Sequence, residues 1–159
     1  MTQQSGETLQ YRGRSWSMHG CPLDACNREE VRQRMALFRM RSTALWRGYE
    51  GTWAIAGGRF WLTDLDATVQ TGGTVHRKGL DWLFPGQRAP VLADWFTGDM
   101  RSGRGKSKRA GRYGIDWPYY RDFHIQRGLV TGSTLIDNRV KFRARLKAGQ
   151  RVWAMLDAL

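Results

Sequence analysis

The chain has 159 residues with eight Trp, six Phe and five Tyr, enough for one domain with a substantial apolar core. It carries 26 Lys and Arg against 14 Asp and Glu, a formal charge of +12, and its mean hydropathy is −0.57. That balance argues against a bilayer-spanning or disordered chain and points to an anionic partner: nucleic acid, an acidic protein surface or anionic lipid. No apolar run approaches the roughly 20 residues of a transmembrane helix, and the N-terminus has no signal-like apolar segment, so a cytoplasmic location is expected.

Residues 1–17 are polar and read as a flexible N-terminal arm ahead of a single β-rich domain, 18–159. His19, Cys21 and Cys26 have the form H-x-C-x4-C, but no second Cys/His pair stands at metal-ligating distance. No metal or other cofactor is expected, and the cysteines read as ordinary thiols. Asn27 fits a helix cap with Glu30 as the N3 partner of a capping box. Val31, Met35 and Phe38 then recur at helical spacing, which predicts a short amphipathic helix.

From Thr43 the period changes to two. Tyr49 to Ile55 alternates, Gly57-Gly58 is a turn signal, and Arg59 to Thr63 runs back, so a tight hairpin is predicted. Thr68 to Pro90 reads as a loop turning at Pro85-Gly86, and Pro90 to Arg101 as a strand. Arg121 to Gly132 reads as a second hairpin with Gln126-Arg127-Gly128 at its tip. Thr134 to Asn138 leads into NRVKFRARLK, where cations alternate with apolar residues as on one strand. Val152, Met155, Leu156 and Leu159 predict a terminal helix. The whole is mainly β (α+β): an antiparallel sandwich or partly open barrel with a short helix near each end.

The segment STALWRGYEGTWAIAGGRFWLTDL, Ser42 to Leu65, resembles an uncharacterised family of small bacterial proteins. These share a Trp-Arg-Gly-Tyr followed by Thr-Trp, a Gly-containing hairpin and an aromatic return strand. The likeness continues through Cys21-Pro-Leu23, Leu83-Phe-Pro-Gly86 and Ala93-Asp-Trp-Phe-Thr-Gly98, about two thirds of the chain. It weakens between Met100 and Tyr120, where this chain is more basic. The resemblance implies a β-rich domain and transfers no catalytic residue.

Two cationic segments carry the functional reading. The first is Arg101, Arg104, Lys106, Lys108, Arg109 and Arg112, interleaved with Gly and Ser as in a loop that follows a phosphate backbone. The second is Arg139, Lys141, Arg143, Arg145 and Lys147. On a strand these would repel by only about 0.6 kcal/mol per neighbouring pair, so the row also serves as protection of a solvated edge. Trp117, Tyr119 and Tyr120 beside the first segment are candidates for stacking on bases, with core packing as the alternative. Trp46, Arg47 and Tyr49 are of the types enriched at protein-binding hot spots, with a structural corner as the alternative.

Enzymatic signals are thin. Asp94, Asp99, Asp122 and His124 are the acid–base candidates, and Asp122 and His124 would share a strand face. The chain is therefore expected to be a non-catalytic protein binding an anionic macromolecule, first of all a nucleic-acid backbone. The alternatives are an immunity- or inhibitor-type protein that neutralises an acidic partner, and an enzyme using the Asp/His pair. The nucleic-acid reading depends on the two cationic segments sharing one side of the molecule.

Overall fold

A computed structural model describes residues 4–110 and 114–144; of residues 108–110 and 114 only the backbone is described. The strands are β1 (Thr8–Tyr11), β2 (Arg14–His19), β3 (Tyr49–Ala56), β4 (Arg59–Thr71), β5 (Thr74–Lys78), β6 (Val91–Leu92), β7 (Gly98–Arg104), β8 (Lys108–Ala110), β9 (Gly114–Asp116), β10 (Tyr119–Gln126) and β11 (Leu129–Asp137). Helices α1 (Glu29–Met35) and α2 (Leu80–Leu83) and a 3-10 turn, Pro22–Ala25, lie between them.

Seven of the strands form a barrel in the order β11-β10-β7-β2-β1-β3-β4. The ring closes where β11 meets β4 at Leu129 and Arg59, through Phe60 N–H to Gly128 O and Val130 N–H to Gly58 O, both 2.8 Å. β1 runs parallel to β3, and the other pairings of the ring are antiparallel. β5 and β6 extend β4 outside the ring, and β8–β9 is a separate small hairpin. The fold is thus mainly β, as the alternation predicts, and the barrel is the alternative realised.

Period-two alternation fills the interior. Leu9, Trp16, Met18, Trp53, Phe60, Leu62, Met100, Phe123 and Ile125 point inward, each at most 4 % exposed. Trp53 stacks on Phe60 at 4.8 Å, and α1 and α2 add Val31, Leu80 and Leu83 to the same cluster. Full burial of each such side chain contributes about 1.5–3 kcal/mol relative to exposure.

The predicted hairpin at Gly57-Gly58 forms with both glycines at positive φ, 60° and 70°. That mirror-image turn matches the right-handed twist of its strands. The second predicted hairpin forms at Arg127-Gly128. Several other expectations are corrected. Residues 8–17 are not an arm: β1 and β2 pair with each other and slot between β3 and β7. Leu9 and Trp16 pack inside, and polar Gln10 and Ser15 bond across the outer face at 2.8 Å.

Thr68 to Pro90 is not one loop. β4 runs on to Thr71, turns at Gly72-Gly73 into β5, and α2 follows. The Pro90–Arg101 segment is two strands separated by Ala93–Thr97. The first helix starts at Glu29 after Arg28, with no side-chain cap, so Asn27 does not cap it. Arg28 is held by Asp94 at 2.7 Å and lies over the Phe84 and Trp95 rings.

The NRVKFRARLK segment is not a strand where it is described. Residues 139–144 are helical, Phe142 N–H bonds to Asn138 O at 2.8 Å, and Asn138 and Phe142 are buried at helical spacing. Arg145, Lys147 and the predicted terminal helix at Val152 to Leu159 lie outside the described residues. No helix among the described residues is long and apolar enough to cross a membrane.

Candidate anion-binding corner and barrel mouth

The cationic segments leave the barrel at one corner. Asn138, 7 % exposed, follows β11 and donates through Nδ2 to Asp116 Oδ1 at 3.1 Å and Trp117 O at 2.9 Å. Its backbone N–H bonds to Pro118 O at 2.8 Å. Asp116 in turn accepts from the Tyr120 hydroxyl. One buried amide therefore ties the root of the first cationic segment, at β9, to the start of the second.

The cations around this corner differ in how much charge they offer. Arg101 forms a fork with Asp122, at 2.8 and 2.9 Å, which holds that carboxyl below its usual range. Arg139 chelates Asp137 at 2.9 and 2.7 Å, and the Asp137 pKa falls to about 2 mainly through those bonds. Both arginines are largely neutralised. Lys106, Lys141 and Arg143 are exposed. The side chains of Lys108 and Arg109 and all of Arg112 lie outside the described residues.

The predicted aromatics divide. Tyr120 is buried, and Trp117 lies half-buried against His19 and Gly103. A Cβ on Gly103 would sit 2.6 Å from the Trp117 ring. Burial holds His19 below the usual imidazole range, helped by Arg101. Tyr119 is half-buried under the Arg139 guanidinium, 5.4 Å away. At the second group Tyr49 is 1 % exposed and donates to Asp24 Oδ1, and Arg47 lies over its ring, so only Trp46 is presented to solvent.

Register gives Asp122 and His124 different partners. Asp122 is taken by Arg101, while His124 Nδ1 meets Asp99 Oδ1 at 2.7 Å across β7–β10 on the exposed face. Asp94 is engaged with Arg28. Asp122 and His124 thus share one face of β10, as expected, and each is hydrogen-bonded to a different partner.

Sequence reasoning missed the mouth of the barrel beside this corner. Arg104 lies 5.6 Å over the Trp16 ring, Arg121 lies 5.6 Å over Tyr11 and 5.9 Å over Trp16, and Arg12 lies 5.1 Å over Tyr11. None of the three forms an ion pair with a carboxylate among the described residues. Two rings thus fix three uncompensated guanidinium groups, each contact contributing about 0.5–2 kcal/mol according to burial. Their signal was YRGRSW, Tyr11 to Trp16: an Arg-Gly turn between alternating residues.

Comparison with protein-family models, curated proteins and solved structures finds no match for this chain.

At the end of the barrel away from the Arg12-Gly13 turn lies a buried polar cluster. Glu7, 2 % exposed, accepts from Gly51 N–H at 2.8 Å through Oε1, while Oε2 has no hydrogen-bond partner. Burial pushes its pKa up to about 7, against the opposing effects of Arg47, the Gly51 N–H and the neighbouring Trp53 indole. Arg47 donates to Ser5 O at 2.6 Å, but its Nε and Nη2 are buried without partners. Cys21 and Cys26 are free thiols, both raised above their usual pKa by burial.

Proposed function

We propose that this chain is a non-catalytic binding protein for an anionic macromolecule, and that the macromolecule is nucleic acid held by its backbone. The observation that carries the reading is the Asn138 tether, which roots both cationic segments at one corner. Lys106, Lys141 and Arg143 supply exposed charge there, and Arg104 and Arg121 continue the positive surface toward the barrel mouth. Contacts of this kind go to phosphates and carry little base readout. Each neutralised phosphate releases counterions, so affinity falls steeply with salt.

The test is fluorescence anisotropy with a labelled oligonucleotide duplex and single strand across a salt series. The expected result is a steep log–log decline that becomes shallower when Lys106 and Arg143 are changed to Ala. Absence of binding, or an affinity indifferent to salt, overturns the proposal.

A second reading, an acidic protein neutralised in the manner of an immunity or inhibitor complex, is favoured by one further observation. Leu135 and Val140, 54 % and 81 % exposed, adjoin the same cations, and apolar residues among arginines are the composition of a protein-binding patch. Stoichiometric co-purification with an acidic protein, with no binding to either oligonucleotide, selects this reading.

A further inference from the structure

The barrel mouth also contains a cleft of about 640 Å³ that the backbone-binding reading does not use. Tyr11, Ile55, Phe123 and Val130 give it apolar walls, Ser133 is polar, and Arg12 stands at the rim. No residue lining it is acidic. Arg121 donates from Nη1 to Ser133 Oγ at 2.9 Å, so the hydroxyl accepts from the guanidinium and keeps its own hydrogen to donate. Arg121 Nε is shut off from solvent with no hydrogen-bond partner. An anion held at Ser133 and Arg12 lies beside this guanidinium and relieves the repulsion among Arg12, Arg104 and Arg121.

We propose that the barrel mouth is a binding site for a small amphipathic anion, a compact apolar body bearing one carboxylate, sulfonate or phosphate. The apolar body rests on Tyr11, Ile55 and Val130, and the anionic group meets Arg12, Arg121 and the Ser133 hydroxyl. This division matches the usual composition of ligand pockets, apolar walls with a few polar groups that fix orientation, and the mouth of a barrel is a recurrent place for one. The arginines need little reorganisation, because Tyr11 and Trp16 already hold them.

The experiment is calorimetric titration of the full chain with phenyl phosphate, inorganic phosphate and phenol. Phenyl phosphate is expected to bind at least about tenfold more tightly than either fragment, a factor that corresponds to about 1.4 kcal/mol. Arg12→Gln and Arg121→Gln should each weaken it by about tenfold. Ile55→Trp, which fills the cleft without changing charge, should abolish it. Should Arg121→Gln fail to fold, Arg12→Gln at an exposed turn and Ile55→Trp at a half-buried edge decide the matter. Equal affinity for phosphate and phenyl phosphate would mean attraction to charge alone, and equal affinity for phenol a greasy cleft alone. Either result, no binding at all, or indifference to Ile55→Trp overturns the proposal.

Discussion

Glu7 offers a quantitative test of how the barrel handles a carboxyl group deprived of water. Its pKa rises from 4.5 to about 7 because burial outweighs the help given by Arg47, the Gly51 N–H and Trp53. A raised acid is protonated in the fold over a range where the unfolded chain has already ionised. Below pH 4.5 both states are protonated and there is no penalty. As pH climbs toward 7 the unfolded state gains by releasing its proton, so stability is progressively lost. The full loss is about 3 kcal/mol at roughly 1.4 kcal/mol per pKa unit.

E7Q keeps an oxygen for the Gly51 N–H and removes the titration. Urea unfolding of both proteins at intervals from pH 4.5 to 8 provides the assay. The stability of E7Q relative to the parent should climb by about 3 kcal/mol across that range. Taking the difference cancels His19, whose lowered pKa acts the other way: its contribution is lost as pH falls through 6.5. The paired carboxyls Asp66, Asp122 and Asp137 are lowered and act below the window, near pH 4 and under. A difference that stays flat from pH 4.5 to 8 refutes the argument that desolvation governs this site.

Asn138→Ala removes two side-chain hydrogen bonds, one to Asp116 and one to the Trp117 carbonyl. It should cost about 1–3 kcal/mol in chemical denaturation and weaken oligonucleotide binding although no charge changes. Asp122→Asn and Asp137→Asn each release an arginine from its carboxylate, so both should tighten oligonucleotide binding and steepen its salt dependence, measured by anisotropy. Gly103→Ala drives a methyl group to within 2.6 Å of the Trp117 ring on the outer wall. A loss of about 1–3 kcal/mol is expected in thermal or urea unfolding, typical of overpacking.

Much of the barrel was legible wherever alternation and turn chemistry agreed. Tyr49 to Thr63 could be read because Trp53, Phe60 and Leu62 fall on one face and Gly57-Gly58 permits the mirror-image turn. The same logic at Gly72-Gly73 was obscured by the polar, exposed β5 that follows, which hides no apolar face. The N-terminal strands were illegible for a related reason. Four- and six-residue strands offer few inward positions, and their turn uses Arg12 at φ 49°, where Asn, Asp or Gly would have announced it.

The 138–147 segment misled because its cations recur every second residue, while its burial follows Asn138 and Phe142, four apart. Asp137, which accepts from Arg139 N–H at 3.1 Å, was the available helix-start signal. For the candidate site, charge count was visible in the sequence but compensation was not. Only the folded register shows that Arg101 and Arg139 are matched by aspartates while Arg12, Arg104 and Arg121 rest on aromatic rings.

The insertion of β1 and β2 between β3 and β7 has a practical outcome for anyone shortening this protein. Removing residues 1–17, inviting for so polar a segment, would pull two staves from the cask and bare the flanks of β3 and β7. Such edges recruit other chains, so the trimmed product should accumulate as insoluble material instead of a tidier domain.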